Sequence, residues 1–405
     1  MATLERGARV SGRWTAALCL ATVATFVGWY GPLQILLGKQ ADLIAPLSKE
    51  SVLALVAGVG AACSMVANPL WGALSDRTTG RWGKRAPWVL GGAVAGAGGL
   101  ALLAAADSVA GMVLGWSVAQ IALNAPFAAL SAAIPDQVPV ERRGTAGGYF
   151  GLAQTAGIMG GTGLALVGGT VLSGYLACAV AVLLGSLPFA LLRHEVVPGP
   201  RPPWDLGDFL RGFWVNPLRH RDFGWAWLTR FLINLGNAVA LLYLLYYLQD
   251  EVRIADPAGG VFVLTAVYAV ALLGTVLVGG VLSDRLGRRR AFVCWSGVIM
   301  SVASVLLAGW PTWTGAVVAA AVLGVGFGTY TSVDFALVTE VLPAAADRGR
   351  HLGVINIANT LPQVLAPVLA APIVAHLGGY PVLYLTAAAV GLLGAVLVYR
   401  IESVR

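Results

Sequence analysis

Charge is scarce in this sequence. Asp, Glu, Lys and Arg make up only 11% of its 405 residues, against 58% hydrophobic, too few to solvate the surface of a soluble globule of that length. Cysteine is scarce as well. Cys19, Cys63, Cys178 and Cys294 all fall inside apolar runs without CxxC spacing, which excludes a disulfide framework and a zinc site as the organising feature. The four histidines (His194, His220, His351, His376) sit near the ends of apolar runs, an arrangement that argues against haem or redox work. No Gly-x-x-x-x-Gly-Lys-[Ser/Thr] loop occurs, so an ATP-driven pump is disfavoured. A nucleophile elbow is equally lacking, so a membrane enzyme has no support. No metal and no cofactor are expected beyond a coupling ion.

Apolar runs are what the sequence does have. Crossing a bilayer takes ~20 apolar residues, and twelve stretches meet that length: 14–37, 51–74, 87–106, 109–134, 145–168 and 173–192, then 223–248, 260–282, 291–309, 314–339, 351–375 and 381–399. The lipid bilayer is therefore the expected surrounding. Arg6, Arg9 and Arg13 ahead of the first run resemble a secretory signal, but 14–37 is longer than an h-region and is expected to be retained as the first span. The 52 glycines would weaken soluble helices; between membrane helices they allow close approach, as in Gly92-x-x-x-Gly96, Gly157-x-x-x-Gly161 and Gly324-x-x-x-Gly328.

The net charge of +7 does not point to nucleic acid, because the basic residues lie in short loops between spans. Loops on the side of both termini carry most of the arginines, including Arg77, Arg142, Arg193, Arg219, Arg285 and Arg348, while the opposite loops carry only Lys39, Lys49 and Arg253. Both termini are accordingly expected in the cytoplasm. Between the sixth and seventh spans, Pro198, Pro200, Pro202 and Pro203 mark a linker, followed over 204–214 by a short amphipathic helix suited to the interface. The division expected is an N-terminal six-helix bundle over 1–192, a cytoplasmic linker over 193–222, and a C-terminal six-helix bundle over 223–405.

One basic loop recurs. Gly72-Ala73-Leu74-Ser75-Asp76-Arg77, running on through Gly80, Gly83, Lys84 and Arg85 to Pro87, returns as Gly280-Val281-Leu282-Ser283-Asp284-Arg285-Leu286-Gly287-Arg288-Arg289-Arg290. A glycine before the loop lets the helix end lie close to a neighbour, an Asp four residues on can face a helix N-terminus, and the cations hold the loop in the cytoplasm. A second repeated element supports the duplication. Asp136-x-x-Pro139 and Glu340-x-x-Pro343 are 204 residues apart (340 − 136), the offset of Gly83 and Gly287 (287 − 83); Asp76 and Asp284 are 208 apart (284 − 76). A parallel repeat is the architecture of a two-bundle transporter.

These residues resemble the major facilitator superfamily, whose loop after the second and eighth spans has the form Gly-x-x-x-Asp-Arg-x-Gly-Arg-Arg. More narrowly, 75–88 is similar to the extended loop of the glycoside-pentoside-hexuronide and sucrose cation symporters, departing from it at Ala86, where those families place a basic residue. The resemblance implies an all-α membrane protein with twelve transmembrane helices in two pseudo-symmetric six-helix bundles, working as a monomer. It also implies gating by Gly72, Asp76, Arg77, Gly280, Asp284 and Arg285, with Asp76 facing the start of span eleven near Leu352 and Asp284 the start of span five near Thr145.

Ionisable residues inside a span are costly and usually mark function. Two occur well inside, Arg230 in span seven and Asp334 in span ten. Each is six or seven residues from the cytoplasmic end, about 10 Å deep at ~1.5 Å per residue, so they can meet. In the superfamily, spans one, four, seven and ten line the cavity, which makes Asp334, with Arg230, the expected proton-coupling pair. A permanent structural ion pair is the alternative. The same placement gives Trp29, Tyr30, Gln34, Gln120, Asn124, Asn234, Asn237 and Tyr330 as expected substrate contacts, aromatic faces for C–H surfaces and amides for hydroxyls; helix packing is the competing role for each. Asn356, Asn359 and Gln363 are read as joining helices by hydrogen bonds. The function expected is a proton-coupled symporter importing a small molecule, a sugar or glycoside; the alternative is a proton-coupled exporter of drugs or metabolites, against which stands a span five reading Gly157–Gly163 with no proline.

Overall fold

The computed structural model describes residues 11–80, 82–139, 142–192, 220–286, 288–340 and 348–402, with the side chains of 143–144, 277–286, 335–336, 338–340 and 348–356 outside the description. The linker and its interfacial helix at 204–214 lie outside the described residues. Helices account for nearly all the rest. In the first half, α1 (Gly12–Gly31) runs through a π-helical segment, Pro32–Leu36, into α2 (Leu37–Ile44), followed by α3 (Lys49–Asp76), α4 (Ala86–Ala104), α5 (Val109–Gln137), α6 (Arg143–Val167) and α7 (Val171–Leu191). The second half holds α8 (Arg221–Leu242), α9 (Leu244–Tyr246) with a π-helical segment Tyr247–Glu251, α10 (Pro257–Leu286), α11 (Arg289–Gly309), α12 (Trp313–Glu340), α13 (Arg348–His376) and α14 (Gly379–Leu397).

Among the described residues, eleven helices are long and apolar enough to cross a membrane, and Arg221–Leu242 with Leu244–Glu251, bent by 42°, makes a twelfth. The bend was not expected in the run 223–248. It lies at Tyr243, whose backbone leaves the helical region (φ −104, ψ 17) while its hydroxyl donates to the Glu50 carbonyl at 2.9 Å. With neither Gly nor Pro within Leu241–Leu248, nothing local signals the break. The first span also runs past the expected limit of 37, because the π-helical segment carries the chain on to Ile44.

The chain forms two compact units, Met1–Leu47 with Ala62–Pro202, and Ser48–Ala61 with Pro203–Arg405. In the first, α1 packs on α6 and α7, and α4 on α5 and α7. Its core is built from apolar residues of five helices, among them Trp14, Leu18, Val89, Leu130, Phe150 and Phe189. In the second, α10 packs on α12, α12 on α11, and α14 on α11 and α8. The paired glycines sit at these seams. A Cβ on Gly161 would lie 2.8 Å from Gly31 N, one on Gly92 2.8 Å from the Ala122 carbonyl, and one on Gly328 2.5 Å from the Leu272 carbonyl. Backbone meets backbone there, which is how helices gain dispersion contact when lipid is as apolar as their own side chains.

Candidate functional site

Within the second unit, α8 carries Arg230 and Asn234 one turn apart on the same face. From α12, Asp334 brings Oδ2 to 2.6 Å from the Arg230 Nη1. From α13, the Asn359 Oδ1 accepts from Arg230 Nε at 2.7 Å and from Asn234 Nδ2 at 3.3 Å; Asn234 also donates to the Arg230 carbonyl at 2.8 Å. Tyr330, a turn before Asp334 and 3% exposed, places its hydroxyl beside Asp334 and Asn234 without a well-aligned hydrogen bond. The two charges keep side-chain exposures of 14% and 10%. Three helices thus converge on one buried, net-neutral, hydrogen-bonded cluster. Chemically, it can exchange a proton on a carboxylate whose cation cannot leave, since the guanidinium stays ionised.

The basic loop of the first half forms a second charged cluster. Arg85, with a side chain 4% exposed, donates to Asp76 Oδ1 at 2.6 Å and to Asp136 Oδ2 at 2.8 Å, and also to Ser75 Oγ. Lys84 Nζ stands 3.3 Å from Asp76 and 3.9 Å from Asp136, and Trp88 Nε1 donates to Thr78 Oγ1 at 2.7 Å. Gly83 takes φ 81, which a side chain would resist, so the loop can turn its two following cations back under the helix ends. Asp76 is therefore held by Arg85; the side chain of Leu352, its expected neighbour, is outside the described residues, as are those of Gly280, Asp284 and Arg285. A Cβ on Gly72 would meet nothing within 4 Å among the described residues.

The family model of the Major Facilitator Superfamily matches residues 17–263 and, a second time, 226–405. The chain belongs to the major facilitator superfamily. It has the helices of a multi-pass membrane protein, and the family is one of transporters. Two curated relatives, the uncharacterized MFS-type transporters Rv1877 and MT1926 of Mycobacterium tuberculosis, are 39% identical over 106 residues, 26% of this chain. The chain spans only 15% of the length of these relatives in the matched part. Among solved structures, a mutant of the nucleoside transporter NupG superposes with a TM-score of 0.77 at 16% identity, over 96% of this chain and 100% of that one. The unmutated NupG gives 0.73 at 15%, over 97% and 100%. At that identity the likeness is one of fold.

Other residues expected at this transporter's site divide among several environments. On α1, the Tyr30 ring stacks on Phe26 (5.8 Å, 6°), and Trp29 meets Phe26 and Phe127 edge-on, both at 5.5 Å; the Trp29 Nε1 has no partner. Gln34 is carried by the π-helical segment, a geometry that recurs at functional positions. Gln120 and Asn124 do not present their amides together. Asn124, 2% exposed, donates to Ser64 Oγ (2.6 Å) and to the Gln120 carbonyl (2.7 Å) and accepts from Asn68 (3.0 Å), so both ends of its amide tie α5 to α3. Asn237 stands apart from the Arg230 cluster, with an unpartnered Oδ1.

Asn359, expected to join helices by hydrogen bonds, does join α13 to α8, through Arg230 and Asn234. One feature escaped the sequence reading. Lys49 Nζ, lying 4.9 Å over the Tyr246 ring, pairs with Asp250 Oδ1 at 2.8 Å while Tyr380 donates to Asp250 Oδ2 at 2.9 Å. The signal available was the position of Lys49 as one of three cations on the basic-poor side.

Proposed function

We propose that this transporter is a proton-coupled symporter importing an uncharged, hydroxyl-rich solute, a sugar or glycoside in the broad sense that includes nucleosides. The observation carrying this reading is the Arg230–Asp334 contact at 2.6 Å with Asn359 and Asn234 on the same arginine. A carboxylate there changes the charge of the cluster when it takes a proton. Leaving a lone cation at 14% exposure is costly in low dielectric, so protonation and the arrangement of the surrounding helices are linked. A cluster that is neutral while the pair is intact suits a neutral ligand. Each unit carries residues suited to such a solute: in the first, the rings of Trp29 and Tyr30 for C–H faces and the Gln34 amide for hydroxyls; in the second, the Asn234 amide. The nucleoside named for NupG is itself a glycoside, which accords with this class. The 75–88 loop supports kinship with the glycoside and sucrose symporters; the Arg-rich loops support cytoplasmic termini in the plasma membrane. The same reading takes the transporter as a monomer with no cofactor besides the coupling proton.

The test is uptake into proteoliposomes under an inward proton gradient, with labelled sugars, glycosides and nucleosides alongside a cationic dye. Gradient-driven accumulation of one of the glycosides is expected. Asp334→Asn should abolish accumulation yet keep substrate exchange. Dye extrusion, or accumulation that survives Asp334→Asn, would overturn the reading.

A further inference from the structure

Asn237 leads away from the transport cluster. It lies seven residues beyond Arg230 on α8 and borders a cavity of about 10 Å³ enclosed by α8, α11, α12 and α14, with Ser301, Ser304, Met300, Gly297 and Gly391 on its walls. That volume is about one water molecule. Glycines make it. A Cβ on Gly391 would stand 3.2 Å from Ser301 Oγ, and one on Gly297 2.6 Å from the Ala395 Cβ, so any side chain at either would close the space or push α14 away.

The oxygens around the space keep lone pairs to offer, with the Asn237 Nδ2 the side-chain donor beside them. Asn237 is 9% exposed, and its Oδ1 is buried with no partner. Ser301 commits its proton to the carbonyls of Gly297 (2.8 Å) and Ala388 (3.0 Å), and Ser304 commits its own to Met300 (3.2 Å). Each hydroxyl keeps lone pairs and has no hydrogen left to give. Buried amide oxygens are nearly always satisfied, and among the described residues no donor bonds to this one. We propose that the cavity is a built site for a single water-sized occupant that satisfies oxygen lone pairs, a water molecule by donating its hydrogens or a sodium ion by coordination, lodged between α8 and α11. Asn237 is then a holder of that occupant and not a substrate contact.

The test uses the full chain in detergent or nanodiscs and reads structure and thermal stability, not transport, so it stands or falls separately from the symport reading. A high-resolution map should show one peak in contact with Asn237 Oδ1. Asn237→Leu, similar in volume, should lower the melting temperature because it evicts the occupant. Should that variant not fold, Ser304→Ala should lower it by less, about 1–2 °C. Sodium chloride against choline chloride separates the occupants. A sodium-specific rise in wild type that Asn237→Leu lacks identifies the ion; equal melting in both salts identifies water. An empty map, with Asn237→Leu raising the melting temperature by relieving a bare oxygen, would overturn the site.

Discussion

Removing either member of the Arg230–Asp334 pair should hurt the fold far more than removing both. Arg230→Met leaves a carboxylate at 10% side-chain exposure without its cation, and Asp334→Leu leaves a guanidinium at 14%; breaking a buried pair from one side costs about 3–5 kcal/mol. The double variant replaces the pair by apolar side chains and loses chiefly the Arg230–Asn359 hydrogen bond, about 1–2 kcal/mol. For a chain of 405 residues, an unfolding entropy of about 2.1 cal/mol/K per residue turns each single loss into a melting shift of roughly 4–6 °C, and the double into roughly 1–2 °C. The assay is a thermal scan of the four proteins in one detergent, followed as a double-mutant cycle. Non-additivity of several kcal/mol is expected. A double variant equal to the sum of the singles, within about 0.5 kcal/mol, would mean that the two charges do not sense each other, and the coupling mechanism would go with it.

Asn359→Leu should leave Asp334 paired but free the Nε side of the arginine, weakening substrate exchange and costing about 1–2 kcal/mol, measured by exchange rate and melting together. Arg85→Met sets Asp76 and Asp136 against each other with Lys84 alone to screen them. Those carboxylates are 51% and 32% exposed, so a loss of about 1–3 kcal/mol is expected in place of the full buried penalty, shrinking with added salt. Tyr380→Phe deletes one bond to Asp250 and keeps Lys49 there, so a loss near 1 kcal/mol is expected, smaller than that of Lys49→Met in the same thermal scan. Gly161→Val places carbon 2.8 Å from the Gly31 backbone and should abolish the monodisperse peak in size-exclusion chromatography, whereas Gly98→Val, where a Cβ meets nothing, should not.

The spans and their number were legible because twenty apolar residues in a row have one use, and the Arg230–Asp334 encounter because depth along two helices follows from residue counts. Rotation was not legible. Asn234 and Asn237 differ by three residues, only about 60° around the helix; that Asn234 reaches Asn359 while Asn237 borders Ser301 is set by packing, with Gly236 seated against α14. For Asn124 the sequence leaves ligand contact and helix packing side by side, since its three partners on α3 and α5 come from packing that the order of residues does not reveal. Arg85 was visible only as one cation among several. Its place between two aspartates depends on the turn at Gly83.

The two widened turns tie these observations to the duplication. Pro32–Leu36 and Tyr247–Glu251 both carry Leu-Gln at their second and third positions (Leu33-Gln34 and Leu248-Gln249), each at the far end of the first helix of its half. A π turn takes one residue more than an α turn, so every side chain beyond it is swung by about 100°. Deleting one residue there would swing Asp250 off Lys49 in one half and turn the face of α2 in the other. The helices are thus indexed by a miscount of one, made twice, and what lies past it in each half is aimed by that extra residue.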